Sequence, residues 1–282
     1  MNDLLAFVRA HPVAGAPVDK AAWFLGELCR GPEAWIDLAV HGRRALVGVV
    51  IDTCESADDG AELVVLGRDR EVADEAALRA AIDRARAFAA GGPRSALEVM
   101  TPGPFPVQLL EGAGFRPSYQ LHEMQRQGAP VPAALLPGGL RWADADRAMG
   151  AQLHAVTRAA FASVPGSFVA PVEVLVERLE RQPHPTRVLL EGERVIAFVR
   201  PEGPVDGVGT IGVLGVLPSA QGRGLGRLAL REGLAALAAR GAGAFRLDVA
   251  VRNERALRLY ESEGFATVQV QTAWALPLRR AD

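Results

Sequence analysis

Between Val216 and Leu230 the sequence runs VLPSAQGRGLGRLAL, an apolar stretch leading through Gly222, Gly224 and Gly226 into a helical pattern. A strand that enters a helix through such a turn presents the unpaired N–H groups of the first helical turn to an anion. Glycine lets the backbone approach that anion closely and adopt a positive φ. Arg223 and Arg227 read as mobile positive charge beside it. The chemistry served is phosphate binding. A tight turn that only packs a helix on a sheet has the same composition, so the turn needs support from the rest of the chain.

That support begins with a repeat. LYESEGF, Leu259 to Phe265, has a near copy in LLEGAGF, Leu109 to Phe115, 150 residues upstream. At the same offset HGRRALVGVV (His41 to Val50) lies over EGERVIAFVR (Glu191 to Arg200), and ALEV (Ala96 to Val99) over RLDV (Arg246 to Val249). Self-similarity at a fixed offset means two copies of one architecture. Each copy reads as a helical region, two short strands around a turn, a third strand, a long Ala/Leu/Arg helix, a strand, a short helix ending in Gly-Phe, and a last strand. In the second copy the helices are expected at Ala145 to Ser163, Val172 to Gln182, Gly222 to Arg240 and Glu254 to Glu263. Strands are expected at Arg187 to Leu190, Val195 to Arg200, Thr210 to Leu217, Phe245 to Val251 and Ala266 to Leu276. QGAPVPAALLPGG, Gln127 to Gly139, reads as a linker. The expected organisation is a degenerate domain over residues 1–127, a linker over 128–139 and a working domain over 140–282. The class is α/β, each domain a mostly antiparallel central sheet flanked by helices.

The copies differ at the turn. Over PSAQGRGLGRLAL the first copy has RDREVADEAALRA, with Glu71, Asp74 and Glu75 where the second has its turn. The long helix survives there, with Asp74 as a cap and Ala77, Leu78, Ala81, Ile82 and Ala85 as an apolar face. The acids would repel a pyrophosphate. Tyr260 is likewise replaced by Leu110.

Gln-x-x-Gly-x-Gly followed by Asn-x-x-Ala-x-x-Leu-Tyr-x-x-x-Gly-Phe, here Gln221, Gly224, Gly226, then Asn253, Ala256, Leu259, Tyr260, Gly264 and Phe265, resembles the GCN5-related N-acetyltransferase (GNAT) family. The resemblance implies acetyl-CoA as acyl donor and no metal. It implies that Gln221, Gly222, Arg223, Gly224, Leu225, Gly226 and Arg227 cradle the pyrophosphate through backbone N–H groups. It further implies that Leu214, Val216 and Leu217 pair with the pantetheine arm, that Asn253 contacts that arm, and that Tyr260 sits beside the sulfur. A phenol with pKa near 10 is protonated at neutral pH and can act as general acid toward a departing thiolate. Leu110 could not. The implied reaction is acetyl transfer to a small-molecule primary amine. A non-catalytic acyl-CoA sensor and an acyltransferase for a protein amine are the other readings. Since many single-copy members of the fold dimerise, the first copy is expected to replace a dimer partner in a monomer.

The general base is open. TIGVLGVLP, before the turn, has neither carboxylate nor histidine, which leaves a water relay or an acid from elsewhere such as Glu202, Asp206 or Asp248. Asp248 reads as a solvated or capping residue, and His122, His154 and His184 as ordinary surface or part-buried histidines. The apolar segment Phe161 to Pro171, with Val164, Pro165 and Phe168, would cover the acceptor.

Composition narrows the field. With 31 basic and 33 acidic residues in 282 there is no broad basic surface for nucleic acid. Up to Gly138 there are 13 basic against 18 acidic residues, and 18 against 15 beyond it, so the second half better suits an anionic ligand. Lys20 is the only lysine. Cys29 and Cys54 lie far apart with no Cys/His cluster, so they read as small apolar fillers, with no metal site or disulfide framework. Asp3 interrupts the start, and no apolar run reaches about 18 residues, so the expectation is a cytoplasmic protein without a membrane span.

Overall fold

A computed structural model describes residues 2–10, 35–40, 43–52, 60–69, 74–89, 96–101, 105–128, 136–164, 169, 171–182 and 184–277. Lys20, Cys29, Cys54, Glu71, residues 129–135 of the linker, Pro165 and Phe168 lie outside them. The chain folds as two compact units, 1–120 with 271–282, and 121–270.

In the first unit α1 (Asn2–Ala10) precedes β1 (Trp35–Val40), β2 (Arg43–Asp52) and β3 (Gly60–Arg68), which pair antiparallel in that order. β4 (Ala96–Thr101) then lies parallel to β3. Parallel neighbours need a crossover, and α2 (Asp74–Ala89) is the helix between them. Its first turn carries Asp74 and Glu75, charges that suit a helix N-terminus. Ala77, Leu78, Ala81 and Ile82 are buried, as the apolar periodicity requires. α3 (Val107–Gly112) follows, with Leu110 fully buried, and leads into β5 (Arg116–Gln127). The other neighbour of β4 is the antiparallel segment Thr272–Pro277, which puts Trp274 opposite Val99.

The second unit has the same plan. β6 (Leu140–Asp144), β7 (Arg187–Glu191), β8 (Arg194–Val205) and β9 (Val208–Val216) pair antiparallel, and β10 (Ala244–Ala250) is parallel to β9. Residues Leu121 to Gln127 complete it, antiparallel to β10. α4 (Gly150–Phe161) and α5 (Val172–Arg181) come before β7, α6 (Leu225–Ala238) is the crossover from β9 to β10, and α7 (Glu254–Ser262) leads to β11 (Ala266–Pro277). Both units are therefore α/β with a mixed sheet. Leu230, Leu234 and Leu237 of α6 are fully buried, each such side chain contributing about 2 kcal/mol. The approach is close: a β-carbon at Gly233 would collide with Val199 and Ile211, and one at Gly209 with Leu237.

The repeated Gly-Phe phrase is a helix stop. Phe115 N–H donates to the Leu110 carbonyl and Phe265 N–H to that of Tyr260, each at 3.0 Å, while Gly114 and Gly264 take φ of +96° and +86°. This is the hydrogen-bond pattern that closes a helix with a left-handed residue.

Several boundaries differ from expectation. The single helix expected over Ala145 to Ser163 is a 3₁₀ turn, Arg147–Met149, followed by α4, because Asp146 Oδ1 accepts the Met149 N–H at 3.0 Å and starts a separate turn. α6 begins at Leu225 instead of Gly222, since Gly222 and Gly224 have φ of +85° and +76°, outside the helical region. β8 runs on to Val205, and β6 was missed altogether. Among the described residues no helix is long and apolar enough to cross a membrane.

Candidate functional site

β9 and β10 pair only from Val208 to Thr210 against Ala244 to Arg246. Beyond this both strands continue, β9 to Val216 and β10 to Ala250, so they part. Backbone groups of β9 past Thr210 consequently face a gap on that side. A cavity of about 410 Å³ is lined by Leu214, Gly215 and Val216 from β9, by Asn253, Arg255, Ala256 and Leu259 at the start of α7, and by Ala160, Phe161 and Val164 after α4. Gln221, Gly222, Gly224, Leu225, Gly226 and Arg227 close its end.

Nine of the residues expected to hold the donor therefore share one cavity: Leu214, Val216, Gln221, Gly222, Gly224, Leu225, Gly226, Arg227 and Asn253. Gly224 caps α6 in the left-handed conformation, and its carbonyl accepts the N–H groups of Arg227 at 3.1 Å and Leu228 at 3.2 Å. The earlier N–H groups, of Leu225 and Gly226, have no carbonyl one turn back. They are the donors a phosphate would meet. Gly226 is also close to α7, where an added β-carbon would lie 3.4 Å from Leu259.

Leu217 does not line the cavity. It is partly buried against two core clusters, and its N–H is taken by the Ile196 carbonyl at 2.9 Å. Nor does Arg223, which pairs with Glu191 at 2.8 Å. The expectation that Arg223 and Arg227 are mobile charges is corrected by their partners. Arg227 contacts Glu263 at 3.1 Å and donates to Ser262 Oγ at 3.0 Å. The Glu263 side chain is only 2% exposed and also takes both guanidinium contacts of Arg231 at 2.9 Å. This buried carboxylate ties the outer side of α6 to the end of α7.

Gln221 and Asn253 have local tasks as well. Gln221 Nε2 donates to the Val216 carbonyl at 3.2 Å, and its Oε1 accepts from Arg255, so one side chain joins the end of β9 to α7. Asn253 Oδ1 accepts the Ala256 N–H at 3.2 Å and caps α7, which leaves its amide N–H₂ for another acceptor. Arg255 was missed in the sequence. It lines the cavity, is exposed, and among the described residues has no carboxylate partner; its spacing two residues after Asn253 was the available signal.

Tyr260 follows Leu259 on α7 but turns into the core, 7% exposed, in one cluster with Ile211, Leu230, Leu234, Phe245 and Phe265. Leu214, a cavity wall, packs against the same cluster. The phenol makes no hydrogen bond among the described residues, and burial pushes its pKa up to about 12. Among the described residues the Tyr260 hydroxyl is not one of the sealed polar atoms and keeps some access.

Of the open acids, Asp206 sits in an exposed turn and Asp248 is exposed on β10. Glu202 is on β8, in register with Thr210. His122 contacts Thr267 Oγ1 at 3.1 Å, His154 is half-buried on α4 and His184 follows α5; none lines the cavity.

The acetyltransferase (GNAT) family model matches residues 155–265, the span from α4 through the phosphate turn to Phe265. A mycothiol acetyltransferase of Thermomonospora curvata is 36% identical over 238 residues, which cover 79% of this chain and 77% of that one. The chain belongs to the GNAT acetyltransferases. Another member, a mycothiol acetyltransferase of Beutenbergia cavernae, is 35% identical over 190 residues, 62% of this GNAT chain and 64% of its own, so the match spans just under two thirds of that relative. Among solved structures, a tandem GNAT protein from the clavulanic acid biosynthesis pathway shares the fold with a TM-score of 0.68 at 13% identity, over 99% of this chain and 94% of that one.

Proposed function

We propose that this protein transfers an acetyl group from acetyl-CoA to a small-molecule primary amine, with residues 121–270 carrying the site. The observation that supports this most is the cavity between the parting strands, closed at one end by a helix N-terminus with left-handed glycines. Such a helix end is built for a pyrophosphate, and a groove along β9 accommodates an extended arm through its unpaired backbone groups. Acetyl-CoA supplies the acyl group as a thioester, whose carbonyl carbon an amine can attack.

The chain's own residues then have these roles. Gly222 to Gly226 and Arg255 hold phosphate oxygens, and the walls Leu214, Val216 and Leu259 bury the arm and exclude water. Asn253 donates its free amide hydrogens to the arm. Tyr260 acts on the departing sulfur as general acid in a ternary complex. Its raised pKa keeps it protonated through neutral pH. Full transfer to a thiolate whose own pKa is about 8.5 would be uphill by roughly 5 kcal/mol, so its hydrogen bond to the developing negative charge is the larger part of its effect. Residues 1–127 read as a degenerate copy, and we take the protein as a monomer.

The test is calorimetric titration with acetyl-CoA, followed by CoA release across a panel of amines. A mycothiol-related amine comes first because of the relatives' name. One binding site and turnover with a small amine is the expected result; no binding would remove the reading.

A further inference from the structure

We propose that Glu202 is the general base for the acceptor amine, an inference that rests on the acetyltransferase reading above. β9 itself carries no acid or histidine, yet its last residue paired with β10, Thr210, lies in register with Glu202 of β8. Glu202 thus stands where β9 and β10 begin to part. Next to it β9 has a bulge: Arg200 pairs with Val213 and Pro201 with Ile211, leaving Gly212 as the extra residue.

The side chain is directed by its surroundings. A β-carbon built on Gly212 would collide with the Glu202 carboxylate, which therefore folds over Gly212 toward the continuation of β9. At about 3.3 Å per residue, Gly212 is some 7 Å along the strand from the cavity wall at Leu214. Arg200 holds the acid from the same strand, at 2.9 Å from Nε and 2.8 Å from Nη2, both to Oε1. Oε2 has no partner among the described residues and, with the side chain 33% exposed, can reach a ligand. Two helices pack on β8 and β9: α4, whose charged or titratable groups are His154 and Arg158, and α6, whose Arg227 and Arg231 pair with Glu263 and whose Glu232 pairs with Arg187.

The proton balance closes. As the amine nitrogen forms its bond to the carbonyl carbon and the C–S bond breaks, one N–H proton passes to Glu202 Oε2. The sulfur leaves hydrogen-bonded to Tyr260 and takes up one proton from solvent, to which Glu202 returns its own. A carboxylate is a weaker base than a free amine, but the nitrogen becomes acidic as it attacks, so the transfer is favourable within the transition state.

Glu202→Gln should lower CoA release with the best amine of the panel by about 10²-fold or more, with acetyl-CoA affinity unchanged. Glu202→Ala should regain part of the rate when formate is added, which a purely structural residue would not do. Gly212→Ala, which keeps the carboxylate but displaces it, should also slow turnover. A Glu202→Gln rate within threefold of wild type, or no rescue by formate, would overturn the assignment of Glu202 alone. Wild-type protein that releases CoA with no amine would overturn the acetyltransferase reading, and the inference with it, before any variant is made.

Discussion

Replacing Tyr260 by Phe deletes one hydroxyl and keeps the ring that packs at 59° to Phe265, 6.1 Å between centroids. Activity should fall while stability at neutral pH holds. The ring is buried, whereas the hydroxyl makes no hydrogen bond among the described residues and keeps some access, so its removal breaks no protein hydrogen bond and should cost little. Tyr260→Phe should therefore keep wild-type stability at neutral pH, with Tm within about 2 °C. Alkaline pH adds a second signature. The folded phenol ionises near 12 and the unfolded one near 10, so the tyrosine's contribution is complete below about pH 10 and fades as pH rises through 12. Wild type should lose about 1–2 kcal/mol relative to Tyr260→Phe between pH 9 and pH 11, measured by denaturant unfolding at each pH. Turnover should fall by about 10²-fold, with acetyl-CoA affinity within about threefold by calorimetry. An unchanged rate would remove Tyr260 from the chemistry. A Tm lower by more than about 2 °C would show that the hydroxyl has a partner and the energetic reasoning is wrong.

Three further outcomes are expected. Gly224→Glu should reduce acetyl-CoA binding beyond calorimetric detection, because a side chain at φ +76° costs about 1–2 kcal/mol and the added carboxylate repels phosphate; retained affinity would refute the cradle. Arg255→Ala should weaken acetyl-CoA binding about five- to tenfold, about 1 kcal/mol of surface-type ion pairing, and flatten its salt dependence in titrations at two ionic strengths. Sedimentation at micromolar concentration should show a monomer, and a tight dimer would count against the idea that the first copy replaces a partner.

The phosphate turn and the helix stops were legible because single residue types decide them. Gly222, Gly224, Gly114 and Gly264 all take positive φ, a state that glycine alone adopts cheaply. The apolar face of α2 was legible from its spacing. What could not be read were properties set by contacts across the sheet. Arg223 and Arg227 look mobile until Glu191 and Glu263 come beside them from 32 and 36 residues away in sequence. Tyr260 and Leu259 are neighbours in sequence, yet one is packed in the core and the other lines the cavity, a difference fixed by the rotation of α7. Glu202 could be named only as one acid of three; the register of β8 on β9 separates it from the others. β6, LRWAD, is too short and too polar to stand out beside its Pro/Gly-rich neighbour.

The strand content of the units bears on how the chain is synthesised. Residues 272–277 border β4 in the first unit, and residues 121–127 border β10 in the second. During translation β4 therefore waits with an open edge until almost the whole of the second unit has left the ribosome. An edge of this kind invites pairing with other chains, so a stalled or truncated product ending before residue 272 is the species that chaperones would have to shield. Division in the linker is no remedy. A fragment starting at residue 128 would lack the strand beside β10 and with it Met124, which is wholly buried. Neither half of the sequence is self-sufficient, because each unit takes a strand from beyond the linker.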